Sequence, residues 1–558
     1  MENLFGEAKV VGSEDIEDRD PNLYAKRSEE ALREGRYNDA VFEIDKAIEY
    51  SGRNIEYIYQ KVKILFAIGS YRECYNLIHT DIKNNLSYFN EREEDQIYKY
   101  SGKCYKKCNI STLPDEWIIL TPEGDGMYSS ISEAINATKG HNKKIYLTEG
   151  IYYENLVIKS NVYIDGYNAE IESNSSRYGI SLKHCSVNIS NVNMRNISKF
   201  KSSYGVYVYE GCIIFKNCSI TNENGEGIYI GDKSEVRLTN STIRTGERSV
   251  ASYSSSICNI SESLIESKSE SAGISCRGIL NITNCDITVN KDDESKAIEL
   301  ASNNGIQCKV KVNGCKIKSS GYSIYSFEDT ILEIDNTKIY SSDIGIFVGG
   351  QMKLKSSTLN DNNKGIVAHS GKSEIIDCQI LKNNESGIDI YNTENMDITN
   401  CNIRGNQFGV AIRNGMAQIR QSNIYGNKRS GVLNRGKGSK IISSKVYDNG
   451  EAGVYCYNNG SIEVNNSNIY CNKQANIQVS NSGVLVAKEC YISSGSSSGV
   501  YSYENGLCNL TGCNIYNNAG KGLETDSSGV INNYACKVHD NESLIGSLSS
   551  IRRFFKGI

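Results

Sequence analysis

The residues best suited to chemistry in this sequence recur at fixed offsets from a repeated glycine. From Gly365 to Gly522, a glycine followed by an apolar residue returns every 22 or 23 residues, with one coil lacking it. Because alternate residues of a strand point to one face, residues two and four positions after each glycine are predicted to share a surface. These positions hold His369, Asp389, Tyr391, Arg413, Arg435, Tyr455, Tyr457, Tyr501 and Tyr503.

Arginines and tyrosines on one surface are suited to binding. Arg413 and Arg435 could hold a carboxylate or phosphate by charge-assisted hydrogen bonds, with Tyr391 and Tyr457 as stacking platforms for sugars or bases. The same residue types are enriched in protein interfaces. Tyrosine also has a high strand propensity, so these residues could simply cover an exposed strand. The sequence leaves these three interpretations open.

Catalysis requires more than a binding surface. Asp389 and Arg413 are the candidates, as an acid and a positively charged group that stabilises developing charge. The histidines have no metal-site spacing, and Cys104 and Cys108 lack a second pair of ligands. We therefore predict no metal, no cofactor and, on balance, no enzymatic activity. If the chain is an enzyme, a polysaccharide lyase or a glycoside hydrolase is expected.

The charge distribution argues against some classes of partner. The chain has a net charge of -5, which predicts no general attraction to nucleic acid or to anionic membranes. No segment is long and apolar enough to predict a membrane span. Locally, residues 401–440 contain eight Lys and Arg residues and no Asp or Glu. This stretch predicts a basic recognition patch on an otherwise acidic protein.

A repeat must position all of these residues. A small residue (Cys, Ser or Thr) stands two positions before an Ile, Val or Leu at intervals of 20 to 23 residues from Cys218 to Cys536, apart from one longer step between Cys285 and Cys315. A column of asparagines follows five residues later, from Asn362 to Asn541. Short alternating apolar runs with this period predict a right-handed parallel β-helix of about 18 coils over residues 141–543.

Two of these columns indicate what the corners of each coil require. Cysteine, serine and threonine interchange in the first column, which indicates that size is selected there and not sulfur chemistry. The asparagines are predicted to adopt a left-handed conformation and to hydrogen-bond from coil to coil. The longer step after Cys285 predicts an inserted loop, and inserted loops often carry function.

The remaining segments differ from the repeat. Residues 1–20 are acidic and predicted to be disordered, and residues 21–112 have helical periodicity. In the latter, Ala31, Gly35, Ala40 and Ala47 are placed as in tetratricopeptide repeats, and the segment resembles that family. The resemblance implies either a partner-binding surface or a cap for the solenoid. Residues 113–140 are predicted to form a linker and a cap helix, and residues 544–558 a C-terminal cap or tail.

The start of the solenoid carries a second resemblance. A Gly-Asp-Gly turn at residues 124–126, an amphipathic helix and the Gly150-x-Tyr152-x-Glu154 motif resemble the opening of the pectin-lyase-like β-helix superfamily. This implies the fold, and members include pectin methylesterases. Asp329 corresponds to part of the methylesterase Gln-Asp-Thr segment, but the Arg-Pro-Trp element has no counterpart here. Asp329 is equally explained as a turn residue.

From these observations the sequence predicts a cytoplasmic scaffold or adaptor that binds protein partners, because no secretion signal and no complete catalytic set are evident. The helical domain and the Tyr/Arg face would be its two binding surfaces. The alternative is a carbohydrate-active enzyme or a carbohydrate-binding protein that uses the same face. Binding to nucleic acid is the weakest of these possibilities.

Overall fold

The computed structural model describes residues 19–110, 117–138, 144–303, 305–545 and 551–554. It divides into two compact units, one of residues 1–172 with 187–193 and the other of residues 173–186 with 194–558. The segment predicted to be disordered, residues 1–20, lies outside the described residues except for residues 19 and 20. Parts of the predicted linker and of the C-terminal tail also lie outside them.

The first unit is helical at its start. Asp20 and Asn54 cap two of its helices by accepting backbone N–H groups, and Asn90 forms a capping box with Glu93. The predicted small residues Ala31 and Ala40 are buried. Its described residues form six α-helices, Pro21–Arg33 (α1), Tyr37–Tyr50 (α2), Ile55–Ala67 (α3), Tyr71–Leu77 (α4), Glu91–Lys107 (α5) and Ile131–Thr138 (α6), with a π-helical turn at Ile78–Ile82 and a 3-10 helix at Lys83–Tyr88.

Helix α5 packs against the strand that begins the β structure of this unit. A side chain on Gly102 would meet Ile119 at 2.9 Å, so glycine is required for the close approach. Lys103 forms an ion pair of 3.0 Å with Asp125 in the next turn. The strands of this unit are Trp117–Leu120, Lys144–Leu147, Gly150–Tyr153, Leu156–Ile158 and most of Val162–Ser173. Helix α5 therefore packs against the first strand of this unit. Capping of the solenoid, partner binding by the helices and their likeness to tetratricopeptide repeats stay predictions.

Asp95 on α5 makes the first unit sensitive to pH. It is fully buried, and its carboxylate accepts the backbone N–H of Glu149 at 3.3 Å. Burial raises the pKa of Asp95 from 3.8 to about 6. Between these values the folded chain binds a proton that the unfolded chain releases, so the free energy of unfolding falls as the pH rises through this window.

We expect Asp95→Asn to remove this pH dependence. The variant should unfold with a free energy about 1–2 kcal/mol higher than wild type at pH 7.5, and the difference should shrink towards pH 4. Trp117, the single tryptophan of the chain, reports unfolding of this unit by fluorescence. Parallel stability curves for the two proteins between pH 4 and pH 7.5 would contradict the role of Asp95.

The rest of the chain forms a right-handed parallel β-helix of about 18 turns in the described residues. Each coil contributes one strand to each of three parallel ladders, linked at the start by the long strand Ser186–Asn196. Ladder 1 contains Cys212–Lys216, Glu235–Thr239, Ile257–Ser261, Ile279–Thr283, Lys309–Asn313, Ile331–Asp335, Gln351–Lys355, Lys372–Ile376, Asn395–Thr399, Ala417–Arg420, Ser439–Ile442, Ser461–Asn465, Val484–Lys488, Leu507–Thr511, Val530–Tyr534 and Ile551–Phe554.

The other two ladders complete each coil. Ladder 2 contains Ser219–Asn222, Thr242–Thr245, Leu264–Ser267, Asp286–Val289, Lys316–Ser319, Lys338–Tyr340, Thr358–Asn360, Gln379–Leu381, Asn402–Arg404, Asn423–Tyr425, Lys445–Tyr447, Asn468–Tyr470, Tyr491–Ser493, Asn514–Tyr516 and Lys537–His539. Ladder 3 contains Tyr178–Lys183, Tyr204–Tyr209, Glu226–Ile230, Val250–Ser252, Ala272–Cys276, Lys296–Leu300, Tyr322–Ser326, Ile344–Val348, Lys364–Ala368, Ser386–Ile390, Phe408–Ile412, Val432–Asn434, Val454–Cys456, Ile477–Val479, Val500–Ser502, Lys521–Thr525 and Ser543–Ile545.

The asparagine column forms a buried hydrogen-bond ladder. The side chain of Asn427, for example, donates to Asn449 Oδ1 at 2.9 Å and accepts from the amide of Asn406 at 3.0 Å. The predicted bonding from coil to coil is present, but the predicted left-handed conformation is wrong. It belongs to the residue just before each asparagine, such as Gly426 or Asp448, because that residue turns the corner and the asparagine then points inwards.

The residues of the small-residue column also form hydrogen bonds from coil to coil. The backbone N–H of Ser422 donates to Ser444 Oγ at 3.2 Å, and Ser444 Oγ donates to the carbonyl of Ile442 at 2.9 Å. Cys513 N–H contacts Cys536 Sγ in the same way. The interpretation from the sequence that only size is selected in this column is therefore incomplete. The side chain must also accept a hydrogen bond, which oxygen and sulfur both do.

Candidate functional site

The predicted site residues lie together on the outer face of ladder 3. The register pairs Asp389 with Ala411, Leu433 with Tyr455, and Gln478 with Tyr501, which places the positions two residues after the glycines in one column. Immediately beyond the strand ends, His369, Tyr391, Arg413, Arg435, Tyr457 and Tyr503 form a second column, held by backbone hydrogen bonds to the preceding coil. Counting two and four residues after each column glycine therefore predicted the correct face.

Asp389 is not open to solvent, although its position on the outer face predicted that it would be. Its side chain is 0 % exposed because neighbouring side chains cover it. Arg413 Nε donates to its Oδ1 at 2.9 Å, the Tyr391 hydroxyl donates to its Oδ2 at 3.4 Å, and Lys364 Nζ lies 3.9 Å away. Burial lowers the pKa of Arg413, but its hydrogen bond to Asp389 raises it, and the net shift is upward.

The predicted pairing of two arginines on one anion does not form. Arg413 is engaged with Asp389, whereas the guanidinium of Arg435 lies over the ring of Tyr457, 5.9 Å from its centre. Arg435 is thus the more accessible cation of the two. A catalytic role for Asp389 and Arg413 stays a prediction; the buried carboxylate already accepts hydrogen bonds from Arg413 and Tyr391.

Four of the eight cations of the predicted basic patch at residues 401–440 are paired with carboxylates. Arg413 pairs with Asp389, Arg420 with Asp397 at 2.8 Å, Arg429 with Glu451 at 2.8 Å, and Lys440 with Glu463 at 3.6 Å. These carboxylates belong to neighbouring coils and lie outside the 401–440 window. A charge count along the sequence missed them because a solenoid brings residues about one repeat apart into contact.

The tyrosines near the end of this face bind one another. The Tyr455 hydroxyl lies 3.0 Å from the Tyr503 hydroxyl and 2.9 Å from Ser480 Oγ, and Gln478 donates to Tyr503 at 2.9 Å. Tyr501 stacks on Tyr503 with ring centres 4.8 Å apart. Burial is the largest cause of the raised pKa of Tyr455. This network satisfies the hydrogen-bonding capacity of the Tyr455 and Tyr503 hydroxyl groups.

A continuous row of rings lies earlier on the same face, and we call it the aromatic strip. Tyr325 stacks on Phe347 with centres 4.6 Å apart and planes within 6°. Phe327 contacts Tyr325 at 4.8 Å, and His369 continues the row at 5.8 Å from Phe347. The strip consists of Tyr322, Tyr325, Phe327, Phe347, His369 and Tyr391.

Sequence reasoning found only the last two members of the strip. Tyr325 and Phe327 stand two and four residues after Ser323, which occupies the column position that glycine holds in later coils. Phe347 stands two residues after Gly345 and was visible in the glycine column. A pattern that allowed serine as well as glycine in that column would have predicted Tyr325 and Phe327 as well.

A second group of rings, the tyrosine cluster, lies still earlier on ladder 3. Tyr207 stacks on Tyr229 with centres 4.7 Å apart and planes within 11°, and Tyr229 contacts Tyr253 at 5.2 Å. The cluster consists of Tyr178, Tyr204, Tyr207, Tyr229 and Tyr253.

Between the strip and the cluster the outer face carries small and charged residues, and we call this region the gap. Ala251 and Ser275 follow Tyr229 in the central column, and Glu299 and Tyr325 come next. Arg277 approaches this region with its guanidinium over the ring of Tyr253, 5.7 Å from its centre.

Two ion pairs flank the gap. Arg248 donates to Glu226 Oε1 at 3.0 Å, and Lys296 lies 3.7 Å from Glu299. Glu226 is buried, and its Oε2 has no hydrogen-bond partner among the described residues. Burial raises the pKa of Glu226, against the lowering effect of Arg248. The gap therefore combines flat apolar ring faces with guanidinium and carboxyl groups.

The predicted inserted loop borders this region. Residues 301–308 follow the strand Lys296–Leu300, and Ser302 Oγ donates to the carbonyl of Asp329 at 2.7 Å. A groove is lined by Arg277, Glu299, Ser302, Tyr325, Phe327, Phe347 and His369. Asp329 has a φ of 57°, which agrees with its interpretation as a turn residue. Within the described residues no group of three or more His, Cys, Asp or Glu side chains could hold a metal ion.

The class of the protein follows from this fold. The family model described as "Right handed beta helix region" matches residues 178–320, 297–441 and 408–551. The chain belongs to this family, and the right-handed parallel β-helix predicted from the sequence is confirmed.

Comparison with individual solved structures gives only distant likenesses. Similar solved structures include pectin methylesterase PemA from Erwinia chrysanthemi, 13 % identical over 41 % of this chain and 90 % of that chain, with a TM-score of 0.31. The periplasmic alginate epimerase AlgG is 13 % identical over 69 % and 78 %, with a TM-score of 0.30. The tailspike protein gp49 from Pseudomonas phage LKA1 is 9 % identical over 73 % and 79 %, with a TM-score of 0.36.

At such low identities and scores, these likenesses carry no argument about function. A comparison with curated protein sequences finds no match. None of the helices in the described segments is long and apolar enough to cross a membrane.

Proposed function

We propose that this protein binds a polysaccharide along the outer face of ladder 3. The aromatic strip is the observation that carries this proposal. One ring of the strip follows another from coil to coil, with centres 4.6 Å apart from Tyr325 to Phe347, 5.8 Å from Phe347 to His369 and 6.5 Å from His369 to Tyr391. Because Tyr325 and Phe347 stack on each other, they offer their edges to an extended polymer that runs along this face. Sugar C–H groups can pack against these edges, while charged groups beside the strip hydrogen-bond to hydroxyls.

Exposure and charge support the same site. Phe327 is 45 % exposed and lines one groove with Tyr325 and Phe347, so the exposed apolar surface here is contiguous, as in binding sites. Arg277 has no carboxylate partner within the described residues, whereas Arg248 and Arg413 are both paired. A polymer that contains uronic acids would supply the missing negative charge to Arg277.

The double variant Phe327→Ala/Phe347→Ala tests this proposal. We expect about 30-fold weaker binding, since each ring contributes about 1 kcal/mol of stacking free energy. Affinity gel electrophoresis of the full chain in alginate, polygalacturonate, dextran and soluble β-glucan measures it. Arg277→Met should weaken binding to the two polyuronides and leave the neutral polymers unaffected.

Tyr153→Ala is the matched control, because Tyr153 is a more exposed aromatic residue, at 76 %, on the strand Gly150–Tyr153, which is not part of ladder 3. Its variant should bind as wild type does. The proposal fails if no polymer retards the wild-type chain, or if the control and the double variant lose binding equally.

Glu226 favours a second candidate function, the processing of the bound polysaccharide. A buried carboxyl group with a raised pKa and one unpartnered oxygen suits a general acid. Glu226→Gln would then abolish turnover while preserving affinity. An absence of new reducing ends or unsaturated products with a polymer that the wild type binds would restrict the function to binding. Binding of protein partners and a cytoplasmic location stay predictions from the sequence.

A further inference from the structure

The outer face of ladder 2 carries a column of stacked rings that the polysaccharide proposal does not use. Tyr425 stacks on Tyr447, and Tyr447 stacks on Tyr470, in each case with ring centres 4.8 Å apart and planes within 2°. The register of the strands places one residue of each coil in this line. We call it the ring column, and it consists of Arg404, Tyr425, Tyr447, Tyr470, Ser493, Tyr516 and His539.

One coil in the middle of the ring column contributes no ring. Ser493 stands there, between Tyr470 of the preceding coil and Tyr516 of the following one. Ser493 is 8 % exposed and forms the floor of the space between these two rings, which we call the slot. Tyr491, on the same strand, is 54 % exposed, whereas a ring held between two others would be largely covered. No ring of this strand therefore fills the slot.

Both walls of the slot are faces of rings. Tyr470 stacks on Tyr447 through one face, so its other face is turned towards the coil of Ser493. Tyr516 stacks on His539 with centres 5.4 Å apart and planes within 4°, and its free face is turned towards the same coil. A planar ring placed between them, at the 4.8 Å spacing of the column, would stack on both walls at once.

The electrostatics of the ring column favour a cation. The face of a tyrosine ring is the negative side of its quadrupole and attracts cations. Burial raises the pKa of Tyr470, and the carboxylate of Asp448 raises it further, so a negative charge acts on this wall. At the start of the column, the guanidinium of Arg404 already lies over the ring of Tyr425, 5.9 Å from its centre. The slot offers a cation two such faces.

We propose that the slot binds a small planar aromatic cation, stacked between Tyr470 and Tyr516 above Ser493. A flat ring is required because the walls are two parallel faces, and a positive charge is required because both faces are negative. N-alkylpyridinium compounds and related heteroaromatic cations belong to this chemical class. The slot lies on ladder 2, so this proposal is independent of the polysaccharide proposal for ladder 3.

The 1-methylnicotinamide cation is the probe, and nicotinamide is its neutral analogue of similar shape. Saturation-transfer NMR of the ring protons and isothermal titration calorimetry measure binding to the full chain. We expect a saturable signal with the cation and about fivefold weaker binding of nicotinamide. Tyr470→Leu and Tyr516→Leu should each weaken binding of the cation about fivefold, because each removes one wall. Tyr425→Leu, at the far end of the column, should leave binding unchanged.

Ser493→Tyr tests the slot itself, with Ser493→Ala as the matched control. The new ring would complete the column, so Ser493→Tyr should abolish binding of the cation and raise the melting temperature. Ser493→Ala should bind as wild type does. The proposal is overturned if the cation gives no saturable signal, if nicotinamide binds as tightly, or if the two variants bind equally. A lower melting temperature of Ser493→Tyr would also overturn it, because the space would then not accept a ring.

Discussion

Replacing Asn427 by alanine should lower the free energy of unfolding of the surrounding coils by about 3–5 kcal/mol. The Asn427 side chain makes buried hydrogen bonds in both directions along the column. It donates to Asn449 Oδ1 at 2.9 Å and to the Ile403 carbonyl at 3.3 Å. It accepts from the backbone and the side-chain amide of Asn406 at 3.1 and 3.0 Å.

Alanine would leave these neighbours without partners in a place that water does not reach, since Asn406 and Asn449 are fully buried and Asn427 nearly so. Each unsatisfied buried polar group costs about 1–3 kcal/mol, and at least two are created. Hydrogen exchange measured by mass spectrometry on the coils that contain residues 406–449 would locate and quantify the loss.

Asn423→Ala is the control for this experiment. Asn423 lies four residues earlier, is half-buried on ladder 2 and donates one hydrogen bond, of 3.0 Å, to Asn402. Its replacement should change stability by less than about 1 kcal/mol. Equal effects of the two substitutions would show that the buried ladder contributes no more than a surface amide.

Arg413→Met should destabilise ladder 3 by about 2–4 kcal/mol. The substitution removes the donor at 2.9 Å from Asp389 and leaves a fully buried carboxylate with only Lys364 as a nearby cation, at 3.9 Å. Removing one partner of a buried ion pair typically costs about 3–5 kcal/mol, and Lys364 reduces this figure. Urea unfolding followed by circular dichroism measures the loss.

The double variant Asp389→Val/Arg413→Met tests the explanation. Val367 and Ala411 precede and follow Asp389 in the same column, so valine suits the surroundings. Because no unpaired charge remains, the double variant should recover most of the lost stability. If it is less stable than Arg413→Met alone, the pair contributes net stabilisation and the uncompensated charge is not the cause.

The fold was predictable from the sequence because each coil repeats the same local requirements. Residues such as Cys401, Ser422 and Ser444 recur at one corner, and the asparagines recur at the next. A hydrogen bond between neighbouring coils needs an acceptor in every coil, so the chemistry itself creates the period. Periodicity of this kind is visible without any three-dimensional information.

The composition of the outer face was less predictable. Column positions located Tyr391 and Arg413 on the correct surface, but serines in the glycine column concealed Tyr325 and Phe327. Counting charges along the chain also predicted a basic patch in which four of the eight cations are in fact paired with carboxylates. Arg420, for instance, pairs with Asp397, which lies one coil away and outside the stretch that was counted.

By itself, then, the sequence determined the β-helix, the number of coils and the face on which candidate residues lie, because these depend on repetition along the chain. Only the tertiary structure decided which side chains are available. Asp389 is covered by Arg413 and Tyr391, while the aromatic strip stays open. Burial and pairing depend on neighbours in space, which a one-dimensional pattern does not specify.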